Sequence, residues 1–167
     1  NIPLMYCSRT KIVDSNLNYK SLSFAPNFFL FKNALVENVC CGCTIVINKV
    51  ARDLLIKTSG DISFYYDWWI YLCISTFGKI IYDQTPRIDY RQHQNNLAGS
   101  HGNRWVHRFS KFKKGKTKLP NITKLIQLFK NNYYDQLDEK KQLVIDNFLN
   151  GKNSFLCRLK LIFSNSF

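Results

Sequence analysis

At 167 residues, with 46% hydrophobic and 15% aromatic side chains, the chain has the means to bury a core, which excludes global disorder and fits one domain or one half of a larger one. Lys and Arg number 24 against 11 Asp and Glu, a formal net charge of +13 that points to an anionic partner: nucleic acid, an acidic lipid surface or a phosphorylated substrate. No apolar run reaches the roughly 20 residues needed to span a bilayer, and the N-terminus lacks a basic-then-apolar signal pattern, so a soluble or peripheral protein is expected.

The chain begins at Asn1 and has its only methionine at Met5, which suggests a processed product or a piece of something longer. Pro3–Val13 reads as a strand through the β-favouring Leu4, Tyr6, Ile12 and Val13, and Asp14-Ser15-Asn16 as the turn that ends it. A loop with Pro26 follows. Ile45–Asn48 is β-branched and strand-like, and Lys49–Lys57 is a short amphipathic helix stopped by Ser59-Gly60.

Gly42, set between cysteines just ahead of that strand, fits either a bulge that turns the chain or a close backbone approach to a ligand. Six cysteines lie mostly in apolar surroundings. Cys40-Cys41-Gly42-Cys43 has no second knuckle to complete a tetrahedral zinc site, so free thiols in a reducing cytosol are expected.

In Tyr65-Tyr66-Asp67-Trp68-Trp69 an acid stands beside two tryptophans, where a carboxylate loses hydration and needs compensation. The pattern places Asp67 at or near the start of a helix that runs to Gly78, where the dipole and free N–H groups of the first turn favour an acid; a plain helix cap would look the same. Lys79–Tyr82 and Ile88–Arg91 read as two strands separated by Pro86, ending at Gln92-His93-Gln94-Asn95-Asn96. The alternation of strands and helices up to His93 predicts an α/β layered architecture.

From Leu97 to Pro120 the chain is polar and basic, with Trp105, Phe109 and Phe112 interleaved among Arg104, Arg108, Lys111, Lys113, Lys114, Lys116 and Lys118. Helices are predicted over Ile122–Tyr133 and Glu139–Leu149. Ser154–Phe163, apolar with Arg158 and Lys160, suits packing on the body or lying on a membrane surface.

Four ordered pieces resemble the C-terminal half of a family-two inverting glycosyltransferase of GT-A fold, closest to bacterial rhamnosyltransferase-like members. They are Pro3–Cys7 through Val13–Leu17, Asn38-Val39 through Gly42-Cys43-Thr44 with Asn48, Tyr66–Trp69, and Tyr90-Arg91-Gln92-His93 through Asn95-Asn96. The resemblance implies an α/β, partial GT-A fold: a mixed sheet with flanking helices over residues 1–100, a basic mobile loop over 101–120 and a C-terminal helical extension over 121–167.

It also implies roles. Asp67 would be the catalytic base that takes the proton of the acceptor hydroxyl, with Gly42, Cys43, Thr44, Trp68 and Trp69 shaping the acceptor site. Arg91 would bind the donor diphosphate or pair with an acid, and His93 would ligate a divalent metal, Mg²⁺ or Mn²⁺. The implied partners are a nucleoside-diphosphate sugar and a glycan or lipid-linked acceptor. The implied place is the cytoplasm, at the inner face of the bacterial plasma membrane.

Two departures accompany the likeness. Tyr66 stands where the family commonly has histidine, and no Asp-x-Asp motif occurs in the chain, so the donor half is expected to be missing and the chain inactive alone. A competing expectation is a basic and aromatic surface over Arg104–Lys118 that binds single-stranded nucleic acid. Without a known nucleic-acid module, an anionic membrane or lipid-diphosphate acceptor is the simpler partner for it.

Overall fold

The computed structural model describes residues 1–26, 29–63, 66–92 and 122–150. Strand β1, Leu4–Val13, is the centre of a mixed α/β arrangement. Its Met5, Cys7, Ile12 and Val13 are buried. β4, Lys79–Arg91, pairs with it in parallel from Leu4↔Lys79 to Val13↔Arg91. A strand has two hydrogen-bonding edges, so β2 (Tyr19–Leu22) and β3 (Val46–Ile47) share the other edge. Both run antiparallel to β1, β3 at its start and β2 at its end.

β2 occupies a stretch whose sequence suggests only a loop. The Asp14 carboxylate makes the connection by accepting from the backbone N–H groups of Asn16 and Asn18, which turns the chain back on β1. Pro86 divides the predicted strands at 79–82 and 88–91, yet the structure joins them in one. Ser8 faces Asp83 and Thr10 faces Ile88, so β4 carries extra residues against β1, and Pro86 sits where the register slips. Asp83 fastens this bulge, accepting from Arg87 Nε at 2.7 Å, Thr85 N at 2.8 Å and Tyr6 Oη at 3.0 Å.

Among the described residues three α-helices precede β4: α1 (Phe31–Ala34), α2 (Lys49–Leu55) and α3 (Tyr66–Phe77). Asn48 caps α2 through Ala51 N and also accepts from Leu4 N, so one side chain ties the start of the helix to the start of β1. α3 buries Trp68, Trp69, Tyr71, Leu72, Cys73 and Ile74; with apolar residues on nearly every side it is a core helix, packed on β1, β4, α1 and α2.

After the basic segment come α4 (Ile122–Tyr133) and α5 (Glu139–Asn150), with the bounds that periodicity predicts to within a residue. They share the core of the sheet unit. Phe129 lies 5.9 Å from the Trp69 ring and 5.4 Å from Tyr133, while Tyr133 lies 5.4 Å from Phe77. Tyr133 Oη donates to Leu54 O, and Ser59 N donates to Asn132 Oδ1 at 2.7 Å. Gly60, at φ +121°, turns the chain against Leu128, a conformation that favours glycine. Among the described residues no helix is long and apolar enough to cross a membrane.

Candidate functional site

The site is built where the loop 38–44 meets the first turn of α3. Asn38 begins the loop with an Asx turn, its Oδ1 accepting from Cys40 N at 3.0 Å. Cys40 is then buried against Cys7 of β1, Sγ to Sγ 3.4 Å, which pins the loop to the centre of the sheet. A single 3-10 turn over Gly42–Thr44 follows, closed by Thr44 N and Thr44 Oγ1, both donating to Cys41 O.

This turn brings Gly42 against the ring of Tyr66. A methyl group at Gly42 would overlap the Tyr66 hydroxyl and lie 2.6 Å from Cζ, so the approach requires glycine. The close approach at Gly42 is thus to this chain's own Tyr66, the residue before Asp67.

Asp67, in the first turn of α3, is partly buried. Burial pushes its carboxyl above the ordinary aspartate value. Hydrogen bonding to the charged form holds the rise in check: from Trp68 N–H first, at 2.7 Å to Oδ1, then from the Asn38 side chain, and from the backbone of Asp67 and Gly42. The same acid is thus desolvated and supplied with donors, the combination that keeps a carboxylate available while making it more basic.

The residues expected to shape an acceptor site divide. Gly42 lies against Tyr66, next to Asp67, and Cys43 after it is exposed. Thr44 is buried and its hydroxyl is committed to Cys41 O. Trp69 is fully buried, donating through Nε1 to Thr58 Oγ1, and Trp68 is 9% exposed with Nε1 donating to Ala34 O at 2.7 Å. Both indole N–H groups are thus committed inside the protein. They anchor α3 from beneath, and it is Tyr66, half exposed, that presents an aromatic face beside the acid.

Arg91 ends β4, paired opposite Val13 of β1. His93, the basic segment Arg104–Lys118 and Ser154–Phe163 lie outside the described residues. Among the described residues no group of three or more His, Cys, Asp or Glu is placed to hold a metal ion. Asn38 has no assigned role in the sequence reading. Its signal was local: an Asx residue two positions before a cysteine that must turn into the core.

Comparison with protein families, with curated proteins and with solved structures gives no match.

Proposed function

We propose that this chain carries the acceptor side of an inverting glycosyltransferase of GT-A type, with Asp67 as the base. A sugar passes from a nucleoside diphosphate to a hydroxyl of a cell-surface glycan or lipid-linked acceptor. Rhamnose is the donor sugar suggested by the sequence likeness. Asp67 takes the hydroxyl proton as that oxygen attacks the anomeric carbon, and the diphosphate leaves from the opposite face.

One observation carries the reading. Asp67, in the first turn of α3 and accepting from Trp68 N–H at 2.7 Å, is partly buried where Gly42 of the loop that the sequence likeness already associates with the acceptor meets Tyr66, and burial raises its carboxyl. A residue that served only α3 would need no second segment, whereas here the Gly42 turn, from a distant part of the chain, packs on Tyr66 directly before Asp67. Tyr66, beside the acid and half exposed, is the aromatic surface on which a sugar ring can stack.

Donor binding in this reading requires residues with an Asp-x-Asp motif and a divalent cation, which together neutralise the leaving diphosphate. The test is a pH–rate profile of sugar transfer by the polypeptide that joins this half to its donor-binding half. The expected profile has an acidic limb, set by Asp67, that lies above the ordinary aspartate range. A rate flat through that region contradicts the assignment of the base.

A further inference from the structure

The loop that supports Asp67 carries a second chemical feature independent of that acid's role. Cys41 and Cys43 flank Gly42 with their sulfurs 3.4 Å apart, and Cys7 and Cys40 show the same 3.4 Å separation one layer deeper. The two pairs differ in access. Cys7 and Cys40 are 0% and 5% exposed, whereas Cys43 is exposed and Cys41 partly so. Two thiols on alternate residues of a tight turn, already in sulfur–sulfur contact, need only a small rotation to bond.

We propose that Cys41 and Cys43 are a dithiol modification site whose substrate is a hydroperoxide, and that its product is a disulfide closed around Gly42. The Cys43 sulfur, which solvent reaches first, attacks the terminal peroxide oxygen. An S–O bond forms, the O–O bond breaks, and the leaving oxygen takes a proton to become an alcohol or water. The Cys41 sulfur then attacks the Cys43 sulfenic acid. The S–S bond forms, the S–O bond breaks, and hydroxide departs with the Cys41 proton as water. The dithiol loses two electrons and the peroxide gains them, so no other reactant is required.

Burial, and after it the contact with Cys43, pushes the Cys41 thiol up to about 12, so Cys41 acts as the resolving thiol that keeps its proton until the second step. Cys40 is pushed up as well, chiefly by its hydrogen bond with Cys7, and stays inert behind the loop.

The experiment treats the folded full chain with hydrogen peroxide. Remaining thiols are blocked in denaturant with one alkylating reagent, and the disulfides are then reduced and labelled with a second. Cleavage after Lys32 and Lys49 isolates Cys40, Cys41 and Cys43 in one peptide, and cleavage after Arg9 separates Cys7. The expected result is loss of two hydrogen atoms within the 33–49 peptide before reduction, with the second label on Cys41 and Cys43 and the first on Cys7 and Cys40. A second label on Cys7 and Cys40, oxygen added to Cys43 without a disulfide, or first label on every cysteine overturns the proposal. Cys41→Ser supplies a check, because Cys43 should then accumulate two added oxygens in place of the disulfide.

Discussion

Gly42 and Tyr66, 24 positions apart in the chain, touch so closely that no side chain fits between them. The contact locks the 38–44 loop onto the start of α3 and fixes which backbone group faces Asp67. Gly42→Ala forces the Tyr66 ring outward, and because that ring is half exposed the cost should be moderate, about 1 kcal/mol. In a Tyr66→Ala background most of that cost should vanish. A double-mutant cycle by urea unfolding measures this, and strictly additive effects would show that the contact does not couple loop and helix.

Asn38 shifts the Asp67 equilibrium toward the carboxylate. Asn38→Ala removes that donor and the turn at Cys40, so the Asp67 carboxyl, already raised by burial, should titrate higher still. Side-chain carboxyl chemical shifts followed against pH report it directly. A titration at or below the wild-type position would remove Asn38 from the site.

The two notable aspartates should affect stability with opposite signs. Asp83 is depressed to about 2, chiefly by the Arg87 hydrogen bond. Its contribution is full above the unfolded aspartate value and is lost as pH falls toward about 2. Asp67 is raised, so the folded state disfavours its charge and loses stability as pH climbs from the unfolded value through the folded one. Asp67→Asn should therefore stabilise the protein at neutral pH and make no difference in acid, whereas Asp83→Asn should destabilise it at neutral pH and make little difference at pH near 2. Thermal unfolding of both variants across that range is the check.

The positions of α2 to α5 and of β1 were legible from their apolar patterns, as in Leu125, Ile126, Phe129 and Tyr133, whereas the four-residue α1 is too short to show one. β2 was not legible. Tyr19–Leu22 is exposed or half exposed and owes its strand to pairing with Lys11–Val13, a long-range fact that no local pattern carries. Pro86 read as a strand boundary because a proline cannot donate to a ladder, but a bulge fastened by Asp83 absorbs it. In the site, Asp67 and Gly42 stood out by residue type. The burial of Trp68 and Trp69 was not legible, because bulky aromatics beside an acid suit a pocket wall and a core anchor equally well.

The C-terminal helices should be inseparable from the site-bearing unit. Phe129 is fully buried among Phe31, Trp69, Phe77 and Tyr133. Phe129→Ala should cost about 4 kcal/mol and lower the unfolding midpoint in one transition seen equally by tryptophan fluorescence and by far-UV circular dichroism. Loss of helix signal with Trp68 and Trp69 fluorescence unchanged would show that α4 and α5 fold apart from α3.

The most direct test of the central claim replaces Asp67 by Asn, which keeps the acceptor for Trp68 N–H but cannot take a proton. If the proposed function holds, then in a polypeptide that adds a donor-binding half the variant should bind nucleoside-diphosphate sugar as the parent does and lose transfer about a thousandfold. Transfer within a few-fold of the parent, with the fold intact, would contradict the assignment of Asp67 as the base.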